Sequence, residues 1–147
     1  LLNAAENPTM TTWMVVEDEP GLYEMVLALY DLMGVDGISF TNGEDALTWI
    51  DEVEDGNLLL DDVPSLALLD IRLPGQVSGP DVAERLRQCG RTRNMVIVLM
   101  TAYRLSPRDR EAVMRQSQAD HYLEKPLPDI PVLMKLLEDL FAARAAR

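Results

Sequence analysis

The chain holds one cysteine and one histidine in 147 residues. A lone Cys89 excludes an internal disulfide, and with one thiol and one imidazole a protein-only zinc site is hard to assemble. No apolar run reaches the ~18–20 residues that a membrane-spanning helix needs, so no membrane role is expected. No stretch joins a basic start, an apolar run and a small-residue cleavage site, the pattern of a secretory signal. With a single thiol and no export signal, the expected compartment is the reducing cytoplasm. Cations are also scarce, with 13 Lys and Arg against 25 Asp and Glu, a net charge of −12 at pH 7. That balance argues against direct nucleic-acid contact, which draws on clustered Lys and Arg.

What is present suits one water-facing globular domain: 48% hydrophobic and 26% charged residues, and enough length to bury a core without disulfides or metals. The first residue is Leu1 rather than Met. We expect one domain over residues 10–147, with 1–9 an N-terminal extension or tag remnant. Thr12–Val16 is a short β-prone run that ends at Glu17, Asp18 and Glu19. Pro20 suits a first helical position; Leu22, Met25, Val26, Leu29, Leu32 and Met33 recur at helical spacing, and Gly34 is a fitting stop. Gly37–Phe40 reads as a second strand, and Thr41 to Glu44 has the spacing of a capping box opening a second helix. Asp51–Pro64 reads as an acidic loop, with Leu58–Leu60 unplaced.

Ser65–Asp70 and Met95–Met100 are apolar without alternation, as strands buried on both faces are. Ser78 to Asp81 is a second capping-box spacing, opening a helix to about Cys89. Ser106, Pro107 and Asp109 announce a helix to about Ser117; Ala119–Leu123 is a fifth strand candidate, and an amphipathic helix follows Asp129. Strands and helices thus alternate five times, which predicts a parallel sheet with helices on both faces. In such sheets the site lies beyond the carboxyl ends of the strands, where strand order reverses.

The polar residues fall at those ends. Glu17 and Asp18 follow the first strand, Asp70 ends the third, Thr101 ends the fourth and Lys125 follows the fifth. Converging carboxylates repel unless a cation balances them. Mg2+ fits, a hard cation that takes oxygen ligands and needs only one or two carboxylates. Lys125 adds a mobile point charge and Thr101 a hydroxyl donor, while the small Ala102 leaves space beside them. A metal, an ammonium and a hydroxyl around one carboxylate are what phosphoryl transfer to Asp70 requires.

The segments Val15–Pro20 (VVEDEP), Leu68–Gly75 (LLDIRLPG), Val98–Tyr103 (VLMTAY) and Tyr122–Pro126 (YLEKP) resemble the four signature segments of response-regulator receiver domains. The resemblance runs from about Thr12 to Arg144. It implies a (βα)5 flavodoxin-like three-layer fold with a parallel sheet of order 2-1-3-4-5. It also implies a two-component phosphorelay function: Asp70 as phosphoacceptor, charged by a sensor histidine kinase or histidine phosphotransfer protein. Glu17, Asp18, Asp70 and the backbone carbonyl of Arg72 would be the Mg2+ set, with Asp18 the first choice of the acidic pair for direct ligation. Thr101 and Lys125 would bind phosphoryl oxygens, and Tyr122 would be the switch aromatic. Pro126 stands where the family's usual cis proline does. Such a domain is not a conventional enzyme; it catalyses its own phosphorylation and dephosphorylation. It would signal by changing the surface of the fourth helix, fifth strand and fifth helix toward an effector protein or domain, or a homodimer.

This sequence departs from the family pattern in places. The Asp51–Pro64 connection, the turn at 74–79 and the span from Thr101 to Lys125 are longer than usual, and Gln118 replaces a common Gly before Ala119-Asp120. Arg72 and Tyr103 occupy positions where the family tunes phosphoryl lifetime, and their bulk is expected to slow attack by water. Two other functions compete. A binding module that keeps the fold without phosphate would be expected to lose Asp70, Thr101 or Lys125, and all three are kept. A magnesium-dependent phosphatase with Asp70 as nucleophile commonly wants a second acid where Arg72 stands. Taken singly, Tyr122 reads as a half-buried strand aromatic, His121 as a surface neighbour and Cys89 as a buried small hydrophobe.

Overall fold

The structure, a computed structural model, describes residues 12–58 and 63–146. Five strands, β1 (Thr12–Val16), β2 (Asp36–Phe40), β3 (Leu66–Asp70), β4 (Val96–Thr101) and β5 (His121–Glu124), alternate with five helices. The helices are α1 (Pro20–Leu32), α2 (Gly43–Glu54), α3 (Gly79–Gln88), α4 (Pro107–Ser117) and α5 (Ile130–Ala145). The strands form one parallel sheet in the order β2-β1-β3-β4-β5, as the sequence leads one to expect.

Side chains alternate across the sheet, so each strand feeds two cores. On one face Trp13, Val15, Leu66, Leu68, Val96, Val98 and Met100 pack with Val26, Leu29 and Tyr30 of α1 and Leu133 and Leu137 of α5. On the other, Met14, Val16, Ala67, Leu69, Ile97 and Leu99 pack with Ala46, Ile50 and Val53 of α2 and Val82, Ala83 and Leu86 of α3. Every residue of β1, β3 and β4 is buried, which is why these strands read as unbroken apolar runs. Cys89 is buried in the second core, as a small hydrophobe would be. No described helix is long and apolar enough to cross a membrane.

Local chemistry corrects several boundaries. The cap of α2 is Asn42, whose side chain accepts from the Asp45 N–H at 2.8 Å, rather than Thr41 paired with Glu44. Freed from capping, Glu44 accepts the Gln76 N–H at 2.8 Å and so ties the turn at 74–79 to α2. Helix α2 runs to Glu54, into the stretch expected to be loop. It stops at Gly56 (φ +74°) with bonds from Gly56 N to Val53 O and from Asn57 N to Glu52 O. That is a Schellman closure, for which a left-handed glycine is the usual residue. Leu58 packs against the α2-side core, while Leu59 and Leu60 lie outside the described residues.

The expected capping box at Ser78 and Asp81 is formed. Strand β5 starts two residues later than the Ala119 expected. Asp120 has another use: its carboxylate accepts the Ile97 N–H and the guanidiniums of Arg87 and Arg144. Gln118, in place of glycine, takes the left-handed conformation (φ 50°, ψ 40°) as the C-cap of α4. His121 is half-buried rather than on the surface, and burial, with the nearby Arg110 charge, lowers its pKa.

Candidate functional site

The strand order reverses between β1 and β3, and the acidic residues gather in the crevice outside that reversal. The triplet after β1 divides its work. Glu19 caps α1, its carboxylate accepting from Gly21 N at 2.9 Å and Leu22 N at 2.7 Å. These bonds hold its pKa below the ordinary carboxylate value. The preference for acid at a helix start therefore explains Glu19, and Glu17 and Asp18 remain for the site.

Glu17, Asp18 and Asp70 each offer a carboxylate oxygen, and those oxygens lie within 4.8 Å of one another. Glu17 is fully buried, Asp70 nearly so, and Asp18 faces solvent. The Lys125 Nζ donates to Glu17 Oε1 at 2.8 Å and to Asp70 Oδ2 at 3.1 Å. Asp70 Oδ1 accepts the Arg72 N–H at 3.3 Å, and Glu17 Oε2 accepts the Glu19 N–H at 3.1 Å. Burial raises the Glu17 pKa against the opposing pull of the Lys125 bond, and the Asp70 charge adds to the rise. Burial also acts to lower the Lys125 pKa, but its bonds to Glu17 and Asp70 outweigh this, so the ammonium is held charged.

One ammonium among three carboxylates leaves the cluster two charges short of neutral. The donors are all oxygen, with no thiolate or imidazole among them. Such a set fits a hard divalent cation and poorly suits zinc or copper.

The fourth and fifth strands bring the remaining residues alongside. Ile71 N bonds to Met100 O and Lys125 N to Thr101 O, both at 2.8 Å, which ties the ends of β3, β4 and β5 together. Thr101 is buried, and its hydroxyl oxygen accepts the Tyr103 N–H at 3.0 Å. Ala102 next to it is exposed. The Arg72 guanidinium lies 4.0 Å from the centre of the exposed Tyr103 ring, so the two residues beside the site form one stacked pair. Tyr122 is buried in the α2-side core, with the Arg110 guanidinium 4.3 Å from its ring centre. The Lys125–Pro126 bond is cis.

Sequence reasoning missed two supporting residues. Gly79 opens α3 so close to β3 that a Cβ there would run into the Asp70 carbonyl oxygen, and its N–H bonds to Ile71 O at 3.0 Å. Its φ is ordinary, so the requirement is space alone, and only the packing reveals it. Glu44 is the other, since its spacing to Thr41 pointed to a cap.

Comparison with known proteins agrees with this geometry. The family model for the response regulator receiver domain matches residues 13–138. The sensory transduction protein RegX3 of Mycobacterium tuberculosis is 33% identical over 117 residues, covering 80% of this chain and 45% of that protein. The phosphate regulon transcriptional regulatory protein PhoB of Pseudomonas aeruginosa is 27% identical over 125 residues, covering 85% of this chain and 49% of its own. The chain therefore spans about half the length of the curated relatives it matches. Among solved structures, a CheY-like receiver domain protein from Methanospirillum hungatei has a TM-score of 0.75 at 18% identity, covering 93% of this chain and 98% of that one. The receiver domain of a sensor histidine kinase from Pseudomonas aeruginosa, solved with a magnesium ion coordinated in its active site cleft, has a TM-score of 0.72 at 23% identity. That match covers 90% of this chain and 98% of the other. A parallel sheet of order 2-1-3-4-5, an acidic crevice at its reversal and a family match over most of the chain have one reading: this chain belongs to the receiver domains of two-component response regulators.

Proposed function

We propose that the chain is a phosphorylation-controlled switch in which Asp70 accepts a phosphoryl group from a phosphohistidine on a sensor kinase or phosphotransfer protein. The observation that carries this reading is the setting of Asp70. It is a buried carboxylate held between the Lys125 ammonium and the Arg72 N–H, with Glu17 and Asp18 at its side.

In the transfer, an Asp70 carboxylate oxygen attacks phosphorus, an O–P bond forms, the P–N bond breaks, and its electron pair leaves with the imidazole nitrogen. Lys125, already on Asp70, offsets charge on the transferring oxygens, and Thr101 supplies a hydroxyl for one of them. Ala102 leaves the approach open. Glu17 positions Lys125 through their shared bond. Asp18, Glu17, Asp70 and the Arg72 carbonyl would hold Mg2+, which when bound supplies neutralising charge for the phosphoryl oxygens. The magnesium seen in the Pseudomonas aeruginosa neighbour supports that assignment.

The stacked pair of Arg72 and Tyr103 stands beside the approach to Asp70 and would slow the water that ends the signal. Phosphorylation would bias a two-state arrangement of Thr101, Tyr122 and α4, altering the α4–β5–α5 surface offered to an effector or a second copy. We assign the receiver domain to residues 10–147 and place it in the cytoplasm.

Incubation with acetyl phosphate and Mg2+ should add the mass of one phosphoryl group to the chain, and Asp70→Asn should abolish the gain. Absence of any gain in the parent chain would overturn the proposal in favour of a receiver fold that signals without phosphate.

A further inference from the structure

The edge of the sheet opposite Asp70 carries a cavity of about 440 Å³ between the C-terminal ends of α3, α4 and α5. Every residue lining it is polar or charged, whereas pockets for drug-like ligands are mostly apolar. Four arginines, Arg87, Arg93, Arg115 and Arg144, are among the residues that line it. Acids temper them: Asp120 pairs with Arg87 and Arg144, Glu111 with Arg115, and Glu84 lies on the wall. One positive charge remains in excess. All 13 Lys and Arg of this chain lie at or beyond residue 72, so this half carries whatever positive potential the protein has.

The walls are built and the mouth is unspent. Arg87 is almost fully buried and uses its donors on the carbonyls of Gln118, Arg93 and Met95 and on Asp120. Arg144 ties Asn94 O to Asp120. These bonds rigidify the cavity and leave Arg87 nothing for a ligand. The Arg93 guanidinium and the Gln118 amide, by contrast, make no side-chain hydrogen bond or ion pair among the described residues.

Gln118 adds an independent signal. It holds the left-handed cap of α4, where glycine is free of the Cβ penalty. A strained residue whose side chain gives nothing back to the fold, yet lines a cavity, points to use of that side chain.

We propose that this cavity binds a small organic phosphate, with the Arg93 and Arg115 guanidiniums on the phosphate oxygens and the Gln118 amide on the remainder of the molecule. Guanidinium forks match phosphate oxygens, and the carboxamide-rich wall suits hydroxyls or a base in place of an apolar group. Because Gln118 ends α4, occupancy would also hold the end of the helix that the proposed switch moves.

The test titrates the full chain with ribose 5-phosphate in EDTA, so that no metal draws phosphate to Asp70, and follows amide shifts. Saturable shifts at 84–94 and 115–118 are expected, with a dissociation constant of about 1 mM or tighter. Arg93→Gln should weaken binding about tenfold, the scale of one charge-assisted contact, and Asp70→Asn should leave it unchanged. Gln118→Gly should raise the melting temperature while weakening binding, a crossed effect that damage to the fold cannot produce. Shifts that fail to saturate, binding indifferent to Arg93→Gln, or equal binding of sulfate and chloride would overturn the proposal. Tighter binding of succinate than of ribose 5-phosphate would overturn its ligand class.

Discussion

Lys125→Met removes the one ammonium that the Glu17 and Asp70 carboxylates share and keeps an apolar stem of similar reach. The lost contacts are 2.8 and 3.1 Å long, and the Glu17 side chain has no exposed surface from which to recover hydration. At an effective dielectric near 20, an ion pair at such distances is worth ~5 kcal/mol before desolvation is charged against it. Removing one partner of a buried pair typically costs ~3–5 kcal/mol, and with Lys125 itself 17% exposed the lower end applies, about 3 kcal/mol near neutral pH.

The sign with pH follows from Glu17. Its folded pKa is raised above the ordinary 4.5 by burial, and loss of Lys125 removes the bond that opposes the rise. A raised carboxyl pKa makes the group's contribution most favourable below the unfolded value and progressively lost as pH climbs through the folded one. At about pH 5 the variant can protonate Glu17 for only ~0.8 kcal/mol, so its deficit should shrink to about 1 kcal/mol. Urea unfolding of parent and variant at the two pH values measures this directly. A deficit of equal size at both would refute the reasoning and reduce Lys125 to a packing role; no deficit near neutral pH would show that the carboxylates are hydrated or paired elsewhere. Mg2+ should restore part of the loss at the higher pH, since a divalent cation among the same oxygens replaces the missing charge.

Gly79→Ala should cost about 2–3 kcal/mol in urea midpoint and slow phosphorylation of Asp70, because its Cβ must displace either α3 or the Asp70 carbonyl; an unchanged midpoint would mean that α3 is free to move away. Asp81→Ala opens the α3 capping box and should lower stability by about 1 kcal/mol at neutral pH. The Asp81 pKa is lowered chiefly by the Ser78 N–H bond, so this contribution is present above the ordinary carboxylate value of 3.8 and vanishes as pH falls through the folded one; a deficit that persists in acid would contradict the assignment.

Read alone, the sequence determined the order of elements, the sheet and the identity of the acidic site. Unbroken apolar runs mark strands covered on both faces, and parallel strands place their carboxyl ends along one edge. Glu17, Asp18, Asp70, Thr101 and Lys125 therefore lie along that edge, and the order 2-1-3-4-5, which the family resemblance implied, brings them together. Glycine, serine and aspartate at helix ends were legible because their chemistry is local, as the formed box at Ser78 and Asp81 shows. Non-local partners were not legible. Glu44 has the spacing of a cap yet bonds a turn 32 residues away. Asp120 looks like a strand residue yet serves Arg87 and Arg144, the partners that frame the opposite cavity. The space that Gly79 must leave empty exists only once α3 lies against β3. Backbone periodicity and capping act over a few residues, so sequence carries them; shared counterions and excluded volume act across the fold, so only the tertiary structure decides them.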